Sequence, residues 1–280
     1  MPCLQKKDRK RNNMSTSIHP TALVAPGAVI GENTVVGPYA VVEDDVVIGD
    51  ECTIGSHALI ASGTRMGRGC RIFHGSSLGT EPQDLKFGGE KTFLKIGDFT
   101  TIREFCMLNR GTHATGETVI GSNCLLMAYS HIGHDCRVGD NLVAANGFNL
   151  AGHVTIGNHV NAGGIVAVVQ FRCVGDHAFL GAYSLINQDV VPFASVAAAP
   201  LRVIGINKVG LQRKGFSEQR RRTILRAYKI LFRSGLTLSN ALAGLEQEYP
   251  DNADVASIIA FAKSSTRGLV RMPEIIDTEA

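Results

Sequence analysis

Aliphatic residues recur at every sixth position near the start of the chain: Ile18, Val24, Ile30, Val36, Val42, Ile48, Ile54, Ile60, Met66, Ile72 and Leu78. With 44% of the chain hydrophobic, a run of that length arises by chance roughly once in 10,000 trials, so the period is real. The same phase resumes at Ile96, Ile102, Leu108, Ile120, Leu126, Ile132, Val138, Ala144, Leu150, Ile156, Ala162, Val168, Val174, Leu180 and Ile186. Four places after most of these aliphatics stands a small residue, as at Ala22, Ala28, Thr34, Ala40, Cys52, Ala58, Thr64, Cys70 and Ser76. A period of six matches neither the turn of a helix nor the alternation of an ordinary strand. It matches a parallel β-helix of short flat faces, in which one aliphatic per face points to the axis and glycine often turns the corner. Three faces close one coil of about eighteen residues.

This pattern resembles the hexapeptide-repeat superfamily, whose coils wind left-handed, against the usual crossover rule. The expected fold is therefore mainly β, a left-handed parallel β-helix over residues 16–195 with a small C-terminal α-helical domain over 196–280. Two stretches, from Gly79 to about Phe93 and from Gly111 to Glu117, interrupt the repeat without changing its phase, and read as loops pushed out of the coil. The period vanishes after Pro192. From Ser217 the spacing becomes helical, with Ile224, Leu225, Tyr228, Leu231 and Phe232 on one face, and further helices are predicted over Leu238 to Tyr249 and Ala253 to Ser264. Residues 1–15 form a basic extension with Lys6, Lys7, Arg9, Lys10 and Arg11, and Met14 offers an alternative start.

The formal charge of +3, partly carried by that extension, gives no field suited to nucleic acid. No stretch of about 18 apolar residues occurs, and no apolar run follows the basic start, so a cytoplasmic protein without an integral membrane segment is expected. The seven cysteines show no metal-type or redox-type spacing. Five of them, Cys52, Cys70, Cys106, Cys124 and Cys136, fall in the small-residue slot and read as buried fillers. No metal and no cofactor is expected.

Residues eighteen apart stack in a coil of this length, which places Asp135 near His153 with His134 beside them. His134 follows the inward Ile132 by two places and faces outward. An outward histidine becomes catalytic only where a neighbouring copy builds a cleft over it, so a homotrimer is expected.

The ordered set of further motifs is similar to the UDP-N-acetylglucosamine 3-O-acyltransferase family of lipid A synthesis. It comprises Gln83 to Lys86, Ile102 to Glu104, Arg110 to Thr112, His131 to Cys136, Leu150 to His153, Gln170-Phe171, Gln188 to Val190, Gly210 to Phe216 and Ser265 to Leu269. The resemblance covers nearly the whole chain from residue 16 to 271 and implies transfer of a fatty acyl group, of the 3-hydroxy kind, from acyl carrier protein to the sugar hydroxyl of UDP-N-acetylglucosamine. A hydroxyl is a poor nucleophile at neutral pH and needs a positioned base, worth about 10² to 10⁴ in rate. His134 takes that role, Asp135 orients the imidazole, and the Gly152 N–H is expected to donate to the developing oxyanion. The resemblance implies that Asn207, Arg213 and Lys214 hold the uridine diphosphate with Gln170 nearby, and that Asp84 and Lys86 lie near the sugar. His131 and His153 either position substrate or buttress the base, and Ala182 or Tyr183 limits the length of the acyl chain. Arg220, Arg221 and Arg222 suit either an acidic carrier protein or a solvated helix face.

The chain departs from the family pattern at four places, one of them Gly181-Ala182-Tyr183, bulkier than the Gly-Gly pair expected along the acyl tail. Val169 replaces a histidine before Gln170, Ala199 to Arg202 replace a Gly-Asn-His-Ala stretch, and Val209 replaces an acidic residue. These last three departures bear on the acceptor, including whether its 3-position carries oxygen or nitrogen. Three other readings compete. One is a sugar N-acyltransferase using coenzyme A, and another is a homologue without catalysis. The last is a γ-type carbonic anhydrase, which wants two histidines five apart where His153 and His159 are six apart.

Overall fold

The computed structural model describes residues 15–197 and 199–272. The expected N-terminal extension lies almost wholly outside them. From Ser17 to Val196 the chain winds a left-handed triangular prism in which strands mostly two residues long stack into three parallel sheets. The first face carries strands such as Thr53–Ile54, Leu125–Leu126, Asn161–Ala162 and Phe179–Leu180. The second carries Leu59–Ile60, His131–Ile132, Asn149–Leu150, Ala167–Val168 and Leu185–Ile186. The third carries Val47–Ile48, Arg137–Val138, Thr155–Ile156 and Cys173–Val174. Register partners stand eighteen apart, as Val143 with Asn161 and His131 with Asn149, so like positions stack along the axis.

The six-residue period is the inward column. Ile54, Ile60, Ile72, Leu78, Ile102, Leu108, Leu126, Ile132 and Leu150 are at most 2% exposed. The small slot fills the corners, where Ala40, Cys52, Ala58, Cys70, Cys106, Cys124 and Cys136 are buried as expected. Burial pushes the Cys106 thiol up to about 11 and Cys136 to about 12, which leaves both inert as nucleophiles at neutral pH. Between coils, side-chain oxygens cap the turns from the third face to the first. Asp140 accepts from the N–H of Ser122 at 2.7 Å, Asn158 from Asp140 at 2.9 Å, and Asp176 from Asn158 at 2.7 Å. They satisfy amides that the ladders leave unpaired.

Both predicted loops leave the prism at the corner between the second and third faces. One separates Ser77–Thr80 from Phe93–Ile96, and the other separates Met107–Asn109 from Glu117–Ile120. The strands on either side remain in register, at spacings of thirty (Arg71 with Thr101) and twenty-four (Thr101 with Leu125).

Strand Ala194–Ala197 ends the first face, and Arg202–Ile206 folds back antiparallel to it, a hairpin the vanished period did not announce. Four helices follow: α1 (Lys208–Arg213), α2 (Glu218–Arg233), α3 (Leu238–Glu248) and α4 (Ala253–Ser264). The short α1 was not predicted, whereas α2 starts where expected, its N-cap Ser217 accepting from the N–H of Arg220. Tyr228 on α2 is fully buried and donates to the carbonyls of Val191 and Pro192, tying the helices to the last coil. Ser265 to Val270 then returns to the prism. Ser265 Oγ donates to Asp189 Oδ2 at 2.6 Å, and the N–H of Val270 to the Asp189 carbonyl at 2.9 Å. No helix among the described residues is long and apolar enough to cross a membrane.

Candidate active site

The corner between the second and third faces is built from residues with left-handed backbone, Asp135 (φ 60°), His153 (61°) and Phe171 (62°), one per coil. Aspartate and histidine enter this region more readily than most residues, and the stacked coils hold all three there. Their side chains therefore converge. His134 Nδ1 lies 2.7 Å from Asp135 Oδ2, and His153 Nε2 lies 3.6 Å from the same oxygen. The His134 and His153 rings meet edge to face with centroids 5.1 Å apart, and His153 stacks flat on Phe171 at 4.6 Å.

Asp135 is fully buried and fully used. The Thr112 N–H donates to its Oδ1 at 3.0 Å and the Thr112 hydroxyl to its Oδ2 at 2.8 Å, and the Thr115 hydroxyl also donates to Oδ1. Burial alone would raise its pKa. The hydrogen bonds from Thr115, His134 and Thr112 to the charged form outweigh burial and bring it down to about 2. The carboxylate is thus a fixed negative charge that orients Nδ1–H of His134 and leaves Nε2 with its lone pair. His134 is more sheltered than an outward slot suggests, its side chain only 15% exposed, because its ring lies over Gly152. A Cβ built on Gly152 would stand 2.6 Å from Nε2 and Cε1 of that ring, so only glycine fits. The Gly152 N–H has no acceptor among the described residues.

On the second face a groove of about 540 Å³ runs beside this corner, lined by His131, Asn149, Ala167, Val169, Gln170 and Leu185. Burial holds the His131 pKa below the usual imidazole range, and its buried Nδ1 has no partner among the described residues. Val169 presents methyls where the family pattern has a ring. Asp84 and Lys86 sit on the first loop at the same corner, where Asp84 Oδ1 accepts from the Lys86 N–H at 3.0 Å. The corner thus gathers His131, His134, Asp135, Gly152, His153 and Gln170, with Asp84 and Lys86 on the loop beside it.

The remaining expected site residues lie elsewhere on the prism. Arg213 and Lys214 line a pocket of about 500 Å³ at the corner between the third and first faces, with Asn207, His159, Asn161, His177 and Phe179. Asn207 is committed to the fold. Its Nδ2 donates to the His177 carbonyl at 2.9 Å, and its Oδ1 caps α1 through the Gly210 N–H at 3.0 Å. The rings of His159 and His177 stack at 4.8 Å, and burial holds the pKa of both below the usual imidazole range. Ala182 and Tyr183 stand at the third corner, between the first and second faces, with Tyr183 77% exposed. Of the consecutive arginines 220–222 on α2, Arg220 is bound to Asp254 at 2.6 and 2.8 Å and Arg222 to Glu218 at 2.5 Å.

Thr112, Thr115, Phe171 and Arg267 carry no individual expectation from the sequence, nor does the stacking of His159, weighed only as a zinc ligand, on His177. The histidine pair is eighteen apart and so carried a signal. Thr112 and Thr115 belong to a loop whose return to Asp135 has no periodic signature.

A β-helix of hexapeptides carrying a histidine oriented by a buried carboxylate fits a hexapeptide acyltransferase. The family model for bacterial transferase hexapeptides matches residues 27–62 and 117–143, and the one described as UDP-N-acetylglucosamine O-acyltransferase, domain 2, matches 189–270. The acyl-(acyl-carrier-protein)–UDP-N-acetylglucosamine O-acyltransferase of Thiobacillus denitrificans is 49% identical over 256 residues, covering 91% of this chain and 99% of its own. The one from Verminephrobacter eiseniae is 48% identical over 261 residues, covering 91% and 100%. Among solved structures, LpxA from Acinetobacter baumannii superposes with a TM-score of 0.88 at 40% identity over 91% of this chain and 99% of its own. The Bacteroides fragilis enzyme gives 0.89 at 38% over 90% and 99%. The chain belongs to the UDP-N-acetylglucosamine O-acyltransferase family.

Proposed function

We propose that this protein transfers a fatty acyl group from acyl carrier protein to the 3-hydroxyl of UDP-N-acetylglucosamine, the acylation that opens lipid A synthesis, in the cytoplasm. The observation that carries the reading is the His134–Asp135 pair seated on Gly152. His134 Nε2 takes the proton of the sugar hydroxyl as its oxygen attacks the thioester carbonyl. Asp135 stabilises the imidazolium that forms. The Gly152 N–H donates to the oxyanion, and the collapsing intermediate expels the carrier thiolate, which recovers the proton from His134. Asp84, Lys86, His131, His153 and Gln170 surround the sugar. The acyl chain follows the second-face groove toward Ala182 and Tyr183.

The functional unit is a homotrimer. The catalytic corner and the Arg213–Lys214 pocket lie on different edges of one prism, so a single copy does not bring base and nucleotide site together. The edge between the first and second faces exposes Tyr39, Phe105, Tyr129, Ile165 and Tyr183, while the third face presents Arg65, Lys95 and Arg137. Packing three apolar edges about an axis sets the second face of each copy against the first face of the next. That arrangement joins His134 of one copy to the basic pocket of its neighbour, where cations suit the diphosphate.

Mass spectrometry of products formed from UDP-N-acetylglucosamine and a panel of acylated carrier proteins tests the reaction. Mixed trimers of His134→Ala and Arg213→Ala chains test the shared site. Each variant alone is expected to be inactive and the mixture to recover activity, whereas no recovery on subunit exchange would place both residues in one chain's site.

A further inference from the structure

We infer that His134, Asp135 and His153 form a latent site for a divalent transition metal whose occupancy switches the base off. One ligand atom from each residue lies within 4.8 Å of the others. Two imidazoles and one carboxylate suit zinc, cobalt or nickel and not the all-oxygen preference of magnesium or calcium. The trio is also held in advance. Gly152 seats the His134 ring, Phe171 backs His153, and two threonines fix Asp135. Such outer contacts orient metal ligands. The side chains of His134 and His153 are 15% and 22% exposed, so an ion reaches them from solvent and a fourth position stays open.

Ligands sharing a tetrahedral ion at about 2.0 to 2.2 Å stand roughly 3.3 Å apart. The two measured separations, 2.7 Å from His134 Nδ1 and 3.6 Å from His153 Nε2 to Asp135 Oδ2, bracket that value. Small rotations of both rings admit the ion. The chemical consequence concerns the single proton of neutral His134. With Asp135 as partner the proton sits on Nδ1 and Nε2 is basic. A metal bound at Nδ1 takes that lone pair, so the proton moves to Nε2, with none gained or lost. Nε2–H then donates where catalysis needs an acceptor, and the enzyme is held in the wrong tautomer.

The binding claim stands apart from the proposed reaction, while the inhibition claim rests on it. Cobalt(II) titrated into the purified full-length protein is expected to bind one ion per chain with a tetrahedral visible spectrum, which zinc displaces. Asp135→Asn and His153→Asn keep side chains that accept the left-handed backbone, and circular dichroism checks their folding. Both are expected to weaken cobalt binding at least tenfold. No spectrum, or one unchanged in both variants, marks an adventitious ion only and overturns the site. In the second arm, acyl transfer falls in step with zinc uptake and returns with chelator. Full activity at full occupancy overturns the tautomer switch. Cobalt binding in a protein inactive on every acyl donor leaves the metal site standing and removes the proposed reaction instead.

Discussion

The His134 ring rests on the α-carbon of Gly152, with no room for a methyl between them: a Cβ there would stand 2.6 Å from two ring atoms. Gly152 is not in the left-handed region, so alanine is tolerated by its backbone and offends only the ring. Gly152→Ala is therefore expected to fold normally and to lose about 10² or more in kcat, the scale of a displaced general base. Thermal unfolding and steady-state kinetics on the same preparation check this. Activity within tenfold of wild type would mean the ring is not the base.

Asp135 makes a separate prediction about acid. Its carboxyl lies at about 2 in the fold against an ordinary 3.8. A depressed carboxylate stabilises the fold above its unfolded value, and that contribution is lost as pH falls from about 4 to 2. The shift corresponds to about 2 kcal/mol. Asp135→Asn removes this term, so its stability is expected to fall less than that of wild type between pH 5 and 2, measured by urea unfolding. A parallel pair of curves contradicts the assignment. Because Asp135 remains charged throughout the neutral range, any activity limb above pH 4 belongs to another group.

Phe171 stacks on His153, 13° from coplanar, and the Arg267 guanidinium lies over the Phe171 ring, 5.3 Å from its centroid. Phe171→Leu keeps the bulk and removes the flat face. It is expected to lower kcat about tenfold with the KM for acyl carrier protein unchanged, and Phe171→Tyr is expected to restore it. A loss of thermal stability with kcat intact would make the stack purely structural.

How much of this was visible in the residues follows from their periodicity. The prism, its inward aliphatics and the meeting of Asp135 with His153 are all consequences of a spacing of eighteen, which any reader of the chain can count. The hydroxyls on Asp135 come from a loop outside the count, and Arg267 arrives from 96 residues beyond Phe171 through the Asp189 bridge. Asn207, expected only at the nucleotide, also caps α1, because a buried amide must satisfy its own donors and acceptors first.

Under the proposed reaction the acyl tail meets a measurable limit. From His131 the second-face column runs through Asn149 and Ala167 to Leu185, three coils or roughly 14 Å along the axis at ordinary strand spacing. Ala182 and Tyr183 stand at the edge of that coil. Ala182→Gly is expected to shift preference toward longer acyl donors and Ala182→Met toward shorter ones, by roughly 1 to 3 kcal/mol in discrimination. An unchanged ranking of donors by chain length in competition assays places the stop elsewhere.

The thiols give a test of the corners. Cys52, Cys70, Cys106, Cys124 and Cys136 are buried, while Cys173 is half-exposed. Iodoacetamide at neutral pH is expected to label Cys173 before any of the five, which react only on unfolding, as read by peptide mass spectrometry. Early labelling of the buried five would mean the coils open locally.

The first loop at this corner begins and ends in strands that stay paired on both sides, so its length does not disturb the register of the prism. Residues added or removed between Thr80 and Phe93 change what stands beside this corner without shifting the register of the wall. Scaffold and specificity are therefore separately inheritable. The loop behaves as an interchangeable part, one that drift or a chimera between relatives can replace whole while the corner beneath it keeps its chemistry.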